Sequence, residues 1–393
     1  MSSKNRIFKF YWESDYRKAL ENGLPTPNIC HVLQTGEVFL NVPSYDSQYL
    51  TFEALETGTF TLTINTNITT AMFASVSYSF DTINWVTTNN VDNTEVTVTT
   101  PTVQAGKKIY WKGSGTGTCS SSYAAYPSTF SSTGRFNVSG NIMSMKGDNF
   151  EDDKTLRGLA FCGLFKDCTT LISAENLILP ATTFTGNYVY DQMFRNCTNL
   201  VAAPKLPATD FCGQGYVYRY MFYDCASLTT APELPSTTLT NACYQYMFGR
   251  CTSLTEAPEL PATTLASYCY QYMFISCTNL NYIKALFTTT PDNSYTNSWV
   301  SGVAATGTFV KSPDATWDVT GVNGVPEGWT TDTFKDYFTT EALDDGVIIF
   351  TFPSSLNTSS ASYLEYSTDS GESWIRINNV ASTQVVKRNL LYR

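Results

Sequence analysis

Few side chains in this chain have the type and spacing needed for catalysis. The sequence holds one histidine, His31, so a histidine-based triad or a histidine-ligated metal has almost no support. Glu233 and Glu259 recur at the same place in neighbouring segments, and glycoside hydrolysis would need such a carboxylate pair in a cleft. Glutamates that recur at the same repeat position are explained more simply as a row of solvent-exposed side chains than as a catalytic pair. We therefore expect no catalytic residues and no enzyme.

The cysteines are numerous, but their pattern does not favour a metal or a disulfide framework. The count of 11 is odd, and no C-x-x-C pair occurs. One position of the pattern is occupied in turn by Val189, Val217, Cys243 and Cys269, so it needs only a small apolar side chain. We predict free thiols in a core, with no cofactor and no metal. The periodic cysteines are Cys168, Cys197, Cys225, Cys251 and Cys277.

An internal repeat surrounds these cysteines. Their spacings are 29, 28, 26 and 26 residues, and each follows a Met-Phe or Leu-Phe pair and precedes a leucine. A fixed period in the twenties with Leu, Phe and Cys at constant offsets predicts a leucine-rich-repeat solenoid. Segments such as Tyr244–Phe248 space apolar residues as one or two helical turns would. Stretches such as Ala257–Pro261, with two prolines, are expected to be extended.

A second duplication flanks the repeats. Residues 49–58 match 337–346, and a Tyr-Ser-x-Asp sequence followed by tryptophan occurs in both regions. Alternating apolar and polar residues predict strands, and we expect two related Ig-like β-sandwich modules. The second copy stops at a core strand, so we expect it to be incomplete. Either the natural chain continues beyond Arg393 or a partner strand finishes the sheet.

Residues 367–374 fit the S-x-D-x-G-x-x-W pattern of the Asp-box. Propellers that use this motif need several copies, whereas here the related 79–85 segment lacks the glycine. An Asp-Gly turn with a tryptophan packed beneath it is ordinary hairpin chemistry. We expect no propeller and no function from this motif.

At about 150 residues per domain, a chain of this length suggests two or three domains. We predict a mainly β fold with short helices, in which the solenoid is flanked by the two modules. The predicted segments are 1–48, an N-terminal attachment segment; 49–134, the first β-sandwich; 135–290, the solenoid with its N-terminal cap; 291–332, the C-terminal cap; and 333–393, the incomplete second β-sandwich.

Charge and hydropathy limit the partners. The chain holds 24 Lys+Arg against 34 Asp+Glu, a net charge of -10, and no basic cluster, so nucleic acid is not an expected partner. No run of 18 apolar residues occurs, so we expect no membrane insertion. The N-terminus shows no apolar signal region, so we expect synthesis in a cytoplasm without export.

Two groups of aromatic residues are candidate binding residues. Residues 1–48 hold more aromatics than so short a segment can bury, and we expect them to dock on another protein through Phe8, Phe10, Tyr11 and Trp12. The repeats carry a tyrosine ladder that could stack on sugar rings, although about half of its members must face the core. The candidate glycan-facing residues are Tyr218, Tyr244 and Tyr270.

The repeat unit, typified by residues 247–265, resembles the BspA-like leucine-rich repeats of surface proteins from gut Bacteroidales and their crAss-like phages. The resemblance covers about residues 49–393 and implies a surface-displayed adhesive or structural protein without catalytic residues. The lack of an export signal favours a virion appendage, such as a phage head fibre or capsid decoration protein. It would be anchored to capsid or tail proteins by its N-terminus, homotrimeric by analogy, and would bind host-surface or mucin glycans. The alternative is a bacterial cell-surface leucine-rich-repeat adhesin.

Overall fold

The computed structural model describes residues 49–64, 75–89, 96–114, 128–147, 150 and 153–333, together with the backbone of short strands elsewhere. The chain divides into two compact units, 1–332 and 333–393. The mainly β prediction is confirmed. The short helices were wrongly predicted, because the described residues contain one 3₁₀ helix, Ile142–Lys146, and no α-helix.

The strands are short and numbered in chain order. They are β1 His31–Val32, β2 Val38–Phe39, β3 Leu50–Ala54, β4 Phe60–Ile64, β5 Ser75–Ser79, β6 Trp85–Asn89, β7 Val96–Thr99, β8 Lys108–Ser114, β9 Thr129–Ser132, β10 Phe136–Asn141, β11 Thr155–Leu156, β12 Leu171–Ile178, β13 Thr183–Phe184, β14 Tyr282–Ala285, β15 Thr308–Lys311, β16 Thr330–Thr333, β17 Phe338–Thr340, β18 Gly346–Ile348, β19 Leu364–Ser367, β20 Ile375–Ile377, β21 Gln384–Val386 and β22 Leu390–Tyr392.

Two sheets pack face to face at the start of the first unit. One has the strand order β12-β10-β3-β8-β5-β6 and the other β7-β4-β9. Alternating side chains of β4 point inward, as the alternation in the sequence predicts. Phe52 on β3 lies 5.3 Å from Phe60 on β4 and 4.8 Å from Phe130 on β9, ring centroid to ring centroid. An aromatic core therefore joins the two sheets.

The first sheet continues directly into the repeats. Strand β10 pairs antiparallel with β3 on one side and parallel with β12 on the other. Gly140 on β10 has φ +77°, and a Cβ there would lie 1.8 Å from the carbonyl oxygen of Tyr49. Only glycine permits this close approach. The rings of Phe130 and Phe165 stack at 5.6 Å, so one core runs from the sheets into the first repeat.

The segment before each repeat cysteine is a run of consecutive turns, which corrects the helical turns predicted from its spacing. Counting back from the cysteine, positions −1, −5 and −9 have φ between 51° and 67° in all five repeats. We number the repeats 1 to 5 in the order of their cysteines, Cys168 to Cys277. Within repeat 3, Met221 N donates to Tyr218 O (3.2 Å), which closes a turn. Toward repeat 4, Tyr218 N donates to Cys243 O (3.0 Å) and Phe222 N to Met247 O (2.9 Å). Every second amide therefore joins neighbouring repeats.

A left-handed residue at every fourth position sends side chains inward and outward in pairs. Positions −8, −7, −4 and −3 and the cysteine point inward, and equivalent side chains of neighbouring repeats stack in columns. The phenylalanines at position −3 stack with centroid distances of 5.4 to 5.8 Å. This column comprises Phe165, Phe194, Phe222, Phe248 and Phe274.

Aromatic side chains cover the last repeat. Trp299 stacks on Tyr270 at 6.2 Å, and Phe287 stacks on Trp317 at 5.1 Å. The indole N–H of Trp299 donates to Gly324 O (3.0 Å), so the ring is held while it shields the core. Strands β14, β15 and β16 form a small sheet at this end.

The second unit repeats the strand arrangement of the first module. Its larger sheet has the order β17-β22-β19-β20, which corresponds to β3-β8-β5-β6. Tyr366 lies opposite Ile375 and Tyr392, as Tyr78 lies opposite Val86 and Trp111. The sequence duplication therefore extends to strand order and register.

Candidate functional site

The outward positions of the turn segments form a surface rich in tyrosine and arginine, here called the tyrosine face. At position −5 the rings of Tyr220, Tyr246 and Tyr272 stack at 4.4 Å. At position −9, Tyr188 and Tyr216 stack at 4.5 Å. The face also contains Tyr223, Tyr268, Arg195 and Arg250, whereas Arg219 is buried.

The three tyrosines expected to face glycans lie in the core instead. Tyr218, Tyr244 and Tyr270 are each 1 % exposed and stack with one another at 6.0 to 6.1 Å. The expectation was wrong because directions change in pairs along a run of turns, so position −7 points inward and position −5 outward. Burial raises the pKa of the Tyr244 hydroxyl well above its ordinary value, and this hydroxyl has no hydrogen-bond partner.

Most tyrosines of the tyrosine face stack on at least one other ring, and in the Tyr220–Tyr246–Tyr272 column the inner faces are covered. Sugars stack on aromatic faces, so the Tyr220 column offers mainly ring edges and hydroxyls. Tyr268 differs because its neighbours in the stack are Ala242 in the preceding repeat and Ser294 in the following one, neither of which has a ring. No ring stacks on Tyr268 within the described residues, and 44 % of it is exposed.

Residues with amide side chains occupy position −6, and Gln271 N donates to Tyr268 O at 3.2 Å in the turn that follows this tyrosine. Gln245 and Gln271 are half-buried and hydrogen-bonded to each other, with Gln245 Nε2 as donor. Asn297 Nδ2 donates to the hydroxyl of Tyr272 at 3.4 Å. An open aromatic ring beside planar amides can hold the apolar face of a ring ligand while hydrogen-bonding its polar groups.

Two repeats earlier the same column holds a buried ion pair. Arg219 donates from Nε to Asp191 Oδ1 at 2.9 Å and from NH2 to Oδ2 at 2.7 Å, and the two side chains are 4 % and 0 % exposed. The guanidinium lies 5.2 to 5.3 Å from the ring centres of Tyr188, Tyr216 and Tyr220. Burial raises the pKa of Asp191, and the hydrogen bonds from Arg219 oppose that rise. The fork-to-fork geometry fixes the neighbouring repeats in register.

Two further arginines lie on the tyrosine face. Arg195 lies 5.2 Å from the ring centre of Tyr220 and donates to Gln192 Oε1 at 2.9 Å. Arg250 is exposed and lies 3.4 Å from Asp224. Aromatic and arginine side chains together are typical of recognition surfaces.

The repeat cysteines are free thiols in the core, as predicted. Cys197, Cys225, Cys251 and Cys277 are buried, and each Sγ donates to the carbonyl of a phenylalanine in the preceding repeat at 3.0 to 3.1 Å. Burial raises the pKa of Cys277 to about 12, so its thiol stays protonated at neutral pH. Among the described residues no three His, Cys, Asp or Glu side chains group closely enough to hold a metal ion.

The remaining predicted residues lie elsewhere. Phe8, Phe10, Tyr11 and Trp12 fall outside the described residues. Glu259 is exposed and pairs with Lys284 at 2.9 Å.

Residues 368–374 of the Asp-box pattern lie outside the described residues, whereas the related turn at 81–85, which lacks the glycine, is described. Asp81 accepts hydrogen bonds from Ile83 N (2.9 Å) and Asn84 N (2.7 Å), which hold its pKa well below the ordinary value. The indole of Trp85 donates to Thr82 O at 3.0 Å.

The comparisons with known proteins do not identify the chain. No family model, no curated protein and no solved structure matches it. Within the described residues, no helix has the length and hydrophobicity that crossing a bilayer requires.

Proposed function

We propose that the protein is an adhesive structural appendage of a phage virion, a head fibre or decoration protein. Residues 1–48 would anchor it to capsid or tail proteins, and the repeats would bind host-surface glycans. The similarity of the repeats to BspA-like proteins of gut Bacteroidales and their phages supports this assignment. A bacterial cell-surface leucine-rich-repeat adhesin is the second candidate, since the same similarity includes cellular proteins.

We assign the repeats to a leucine-rich-repeat solenoid and the duplicated β regions to Ig-like modules. Support for the solenoid comes from the stacked phenylalanine and cysteine columns and from hydrogen bonds linking equivalent positions of neighbouring repeats. Support for the Ig-like assignment comes from the facing sheets around Phe52 and from the strand order shared with the second unit.

The adhesive role rests on one observation, the exposed Tyr268, on which no other described ring stacks and whose turn includes Gln271 of the Gln245–Gln271 amide pair. A pyranose has an apolar C–H face and a rim of hydroxyls, which match an aromatic ring and planar amides. Aromatic stacking adds about 0.5–1.5 kcal/mol beyond the area that it buries, so binding would be weak for one site. Several copies on one particle would raise the avidity.

Glycan binding is tested with the full-length protein on an array of neutral mucin-type glycans. We expect Tyr268→Ala to weaken binding about ten-fold, roughly 1.4 kcal/mol. The matched control is Tyr188→Ala, which removes a ring of the same column that already stacks on Tyr216. Binding that survives Tyr268→Ala unchanged, or silence of the native protein on all glycans, would contradict the site.

A second variant, Ala242→Tyr, adds the ring that this column lacks. The backbone allows it, because Ala242 has φ 51° and the tyrosines at this position in neighbouring repeats have 56° to 64°. Ala242 is 0 % exposed, so the added ring must displace the groups that now cover this position, and thermal unfolding checks that the variant folds. In the folded variant we expect glycan binding to fall, since one face of Tyr268 becomes covered.

The virion assignment is tested separately. Deleting residues 1–48 should abolish incorporation of the protein into particles, as measured by mass spectrometry of purified virions. Thermal unfolding of the remaining chain should stay unchanged. Deleted protein that persists on virions would refute the anchor. Occurrence of the protein on bacterial cell surfaces in the absence of phage particles would favour the adhesin.

A further inference from the structure

The hairpin formed by β5 and β6 exposes an unusual amount of apolar surface. Ile83 in its turn is 80 % exposed, Val86 on β6 is 51 % exposed and Phe80 is 47 % exposed. The turn itself is held by hydrogen bonds to the carboxylate of Asp81, so these apolar side chains do not build it. We call this element, residues 75–89, the edge hairpin.

Strand β6 is the outer strand of its sheet and carries no charge. The order of the sheet ends at β6, so one side of its backbone has no strand partner among the described residues. Its sequence, Trp-Val-Thr-Thr-Asn, contains neither the lysines nor the proline with which natural edges are usually protected. Its backbone and side chains are therefore suited to pairing with another strand.

The related hairpin of the second unit shows that this apolar character is not required by the fold. Strands β19 and β20 have the same register, and there Arg376 occupies the place of Thr87. Thr368 replaces Phe80 in the sequence alignment, and no apolar residue lies between Asp369 and Trp374. One of two related edges thus carries a protecting charge, while the other carries exposed apolar residues instead.

We propose that the edge hairpin binds the edge hairpin of a second copy, with the two β6 strands antiparallel about a twofold axis. Pairing centred on Val86 places the two Val86 side chains next to each other and brings Ile83 of each copy to the Asn89 end of the other strand, and a patch that complements itself favours this occupant. The chain has a net charge of -10, so two copies approach most easily through an uncharged surface. The one charged residue of the hairpin is Asp81, held by its own turn, and Lys112 of β8 lies over the Trp85 ring at 4.7 Å.

The interface is small, so the association should be weak and reversible. The association produces a dimer, because the single β6 edge of each copy is fully used once two copies have paired. This differs from the trimer expected by analogy. The proposal depends on neither glycan binding nor a virion location.

The test is sedimentation velocity of the full chain from about 2 to 200 µM, a range that brackets weak association. The native protein should shift from the monomer mass to twice that mass. Thr87→Arg, which copies the related hairpin, and Ile83→Glu, which changes only the exposed turn, should each remain monomeric. Val322→Lys is the matched control at another exposed valine, 49 % accessible, and should still dimerise.

Amide hydrogen exchange provides a second measurement. Residues 85–89 should exchange more slowly at the highest concentration in the native protein but not in Ile83→Glu. A native chain that stays monomeric throughout, a trimer, or a dimer that survives both substitutions would overturn the proposal. Dimers that disappear in Val322→Lys as well would also overturn it, since the interface would lie elsewhere.

Discussion

The buried pair between Asp191 and Arg219 allows a quantitative test of how neighbouring repeats are held together. The change is Arg219→Gln, which removes the guanidinium and leaves the carboxylate 0 % exposed. Removing one partner of a buried ion pair costs about 3–5 kcal/mol, because the remaining charge is neither solvated nor paired. A glutamine amide still supplies one neutral hydrogen bond, so we expect about 3 kcal/mol.

Position −6 of two later repeats shows what a double substitution of this ion pair should produce. Gln245 and Gln271 stand where Asp191 and Arg219 stand two repeats earlier, and their side chains bond to each other. Asp191→Gln combined with Arg219→Gln should therefore recreate an arrangement that the fold already accepts. We expect the double variant to lie within about 1–2 kcal/mol of the native protein, because replacing both members of a buried pair is often close to neutral.

The assay is urea unfolding of the full chain, with the coupling energy taken from the double-mutant cycle. Glu259→Gln, which breaks the exposed pair with Lys284, is the control and should cost no more than about 1 kcal/mol. The reasoning would be refuted if Arg219→Gln cost less than about 1 kcal/mol at pH 7, or if the double variant were as unstable as the summed singles.

The pH dependence of the single variant has a definite sign. Burial raises the pKa of Asp191, and Arg219→Gln removes the guanidinium hydrogen bonds that most oppose this rise, leaving the one from Gln192. The folded variant then binds a proton at a pH where the unfolded chain does not. Its stability, relative to the native protein, should rise as the pH falls through the folded-state pKa and decrease as the pH increases. A deficit that grows on acidification would contradict this account.

Three further outcomes are expected. Tyr244→Phe should stabilise the chain by about 1 kcal/mol in urea unfolding, because it removes an unpaired buried hydroxyl and Phe161 already occupies this column in repeat 1; a loss of stability would show that the hydroxyl has a partner. Phe248→Ala should cost about 3–5 kcal/mol, since the ring is 0 % exposed and stacks on both sides; a cost below about 1 kcal/mol would place it outside the core. Iodoacetamide should label the exposed Cys212 in the native protein much faster than Cys225, whose pKa is raised by burial; equal rates followed by mass spectrometry would contradict a closed core.

The sequence itself contains the signal that pairs Asp191 with Arg219. Asp191 and Arg219 are 28 residues apart, the same spacing as Cys197 and Cys225, so they occupy one column in adjacent repeats. Aligning the repeats would have paired them. Tyr268 could likewise have been singled out, since Ala242 interrupts the tyrosines at its position.

What the sequence determined by itself is the period, the content of the core columns and the duplication of the β modules. Equivalent positions of stacked repeats lie above one another, so Met-Phe and cysteine at constant offsets must fill one interior. The repeat pattern also predicts free thiols, because Val189 and Cys243 occupy the same position in different repeats and share only a small apolar side chain.

The tertiary structure alone decided which tyrosines face outward and where the sheets meet the repeats. The direction of Tyr218 and Tyr220 depends on left-handed backbone at every fourth position, and tyrosine has no intrinsic preference for that conformation. Hydrogen bonds between neighbouring repeats compensate for the energetic cost of this left-handed conformation. The pairing of β10 with both β3 and β12 joins segments far apart in the chain, and no local pattern records it. Local spacing determines which side chains are buried together, whereas long-range hydrogen bonding determines which side chains face outward.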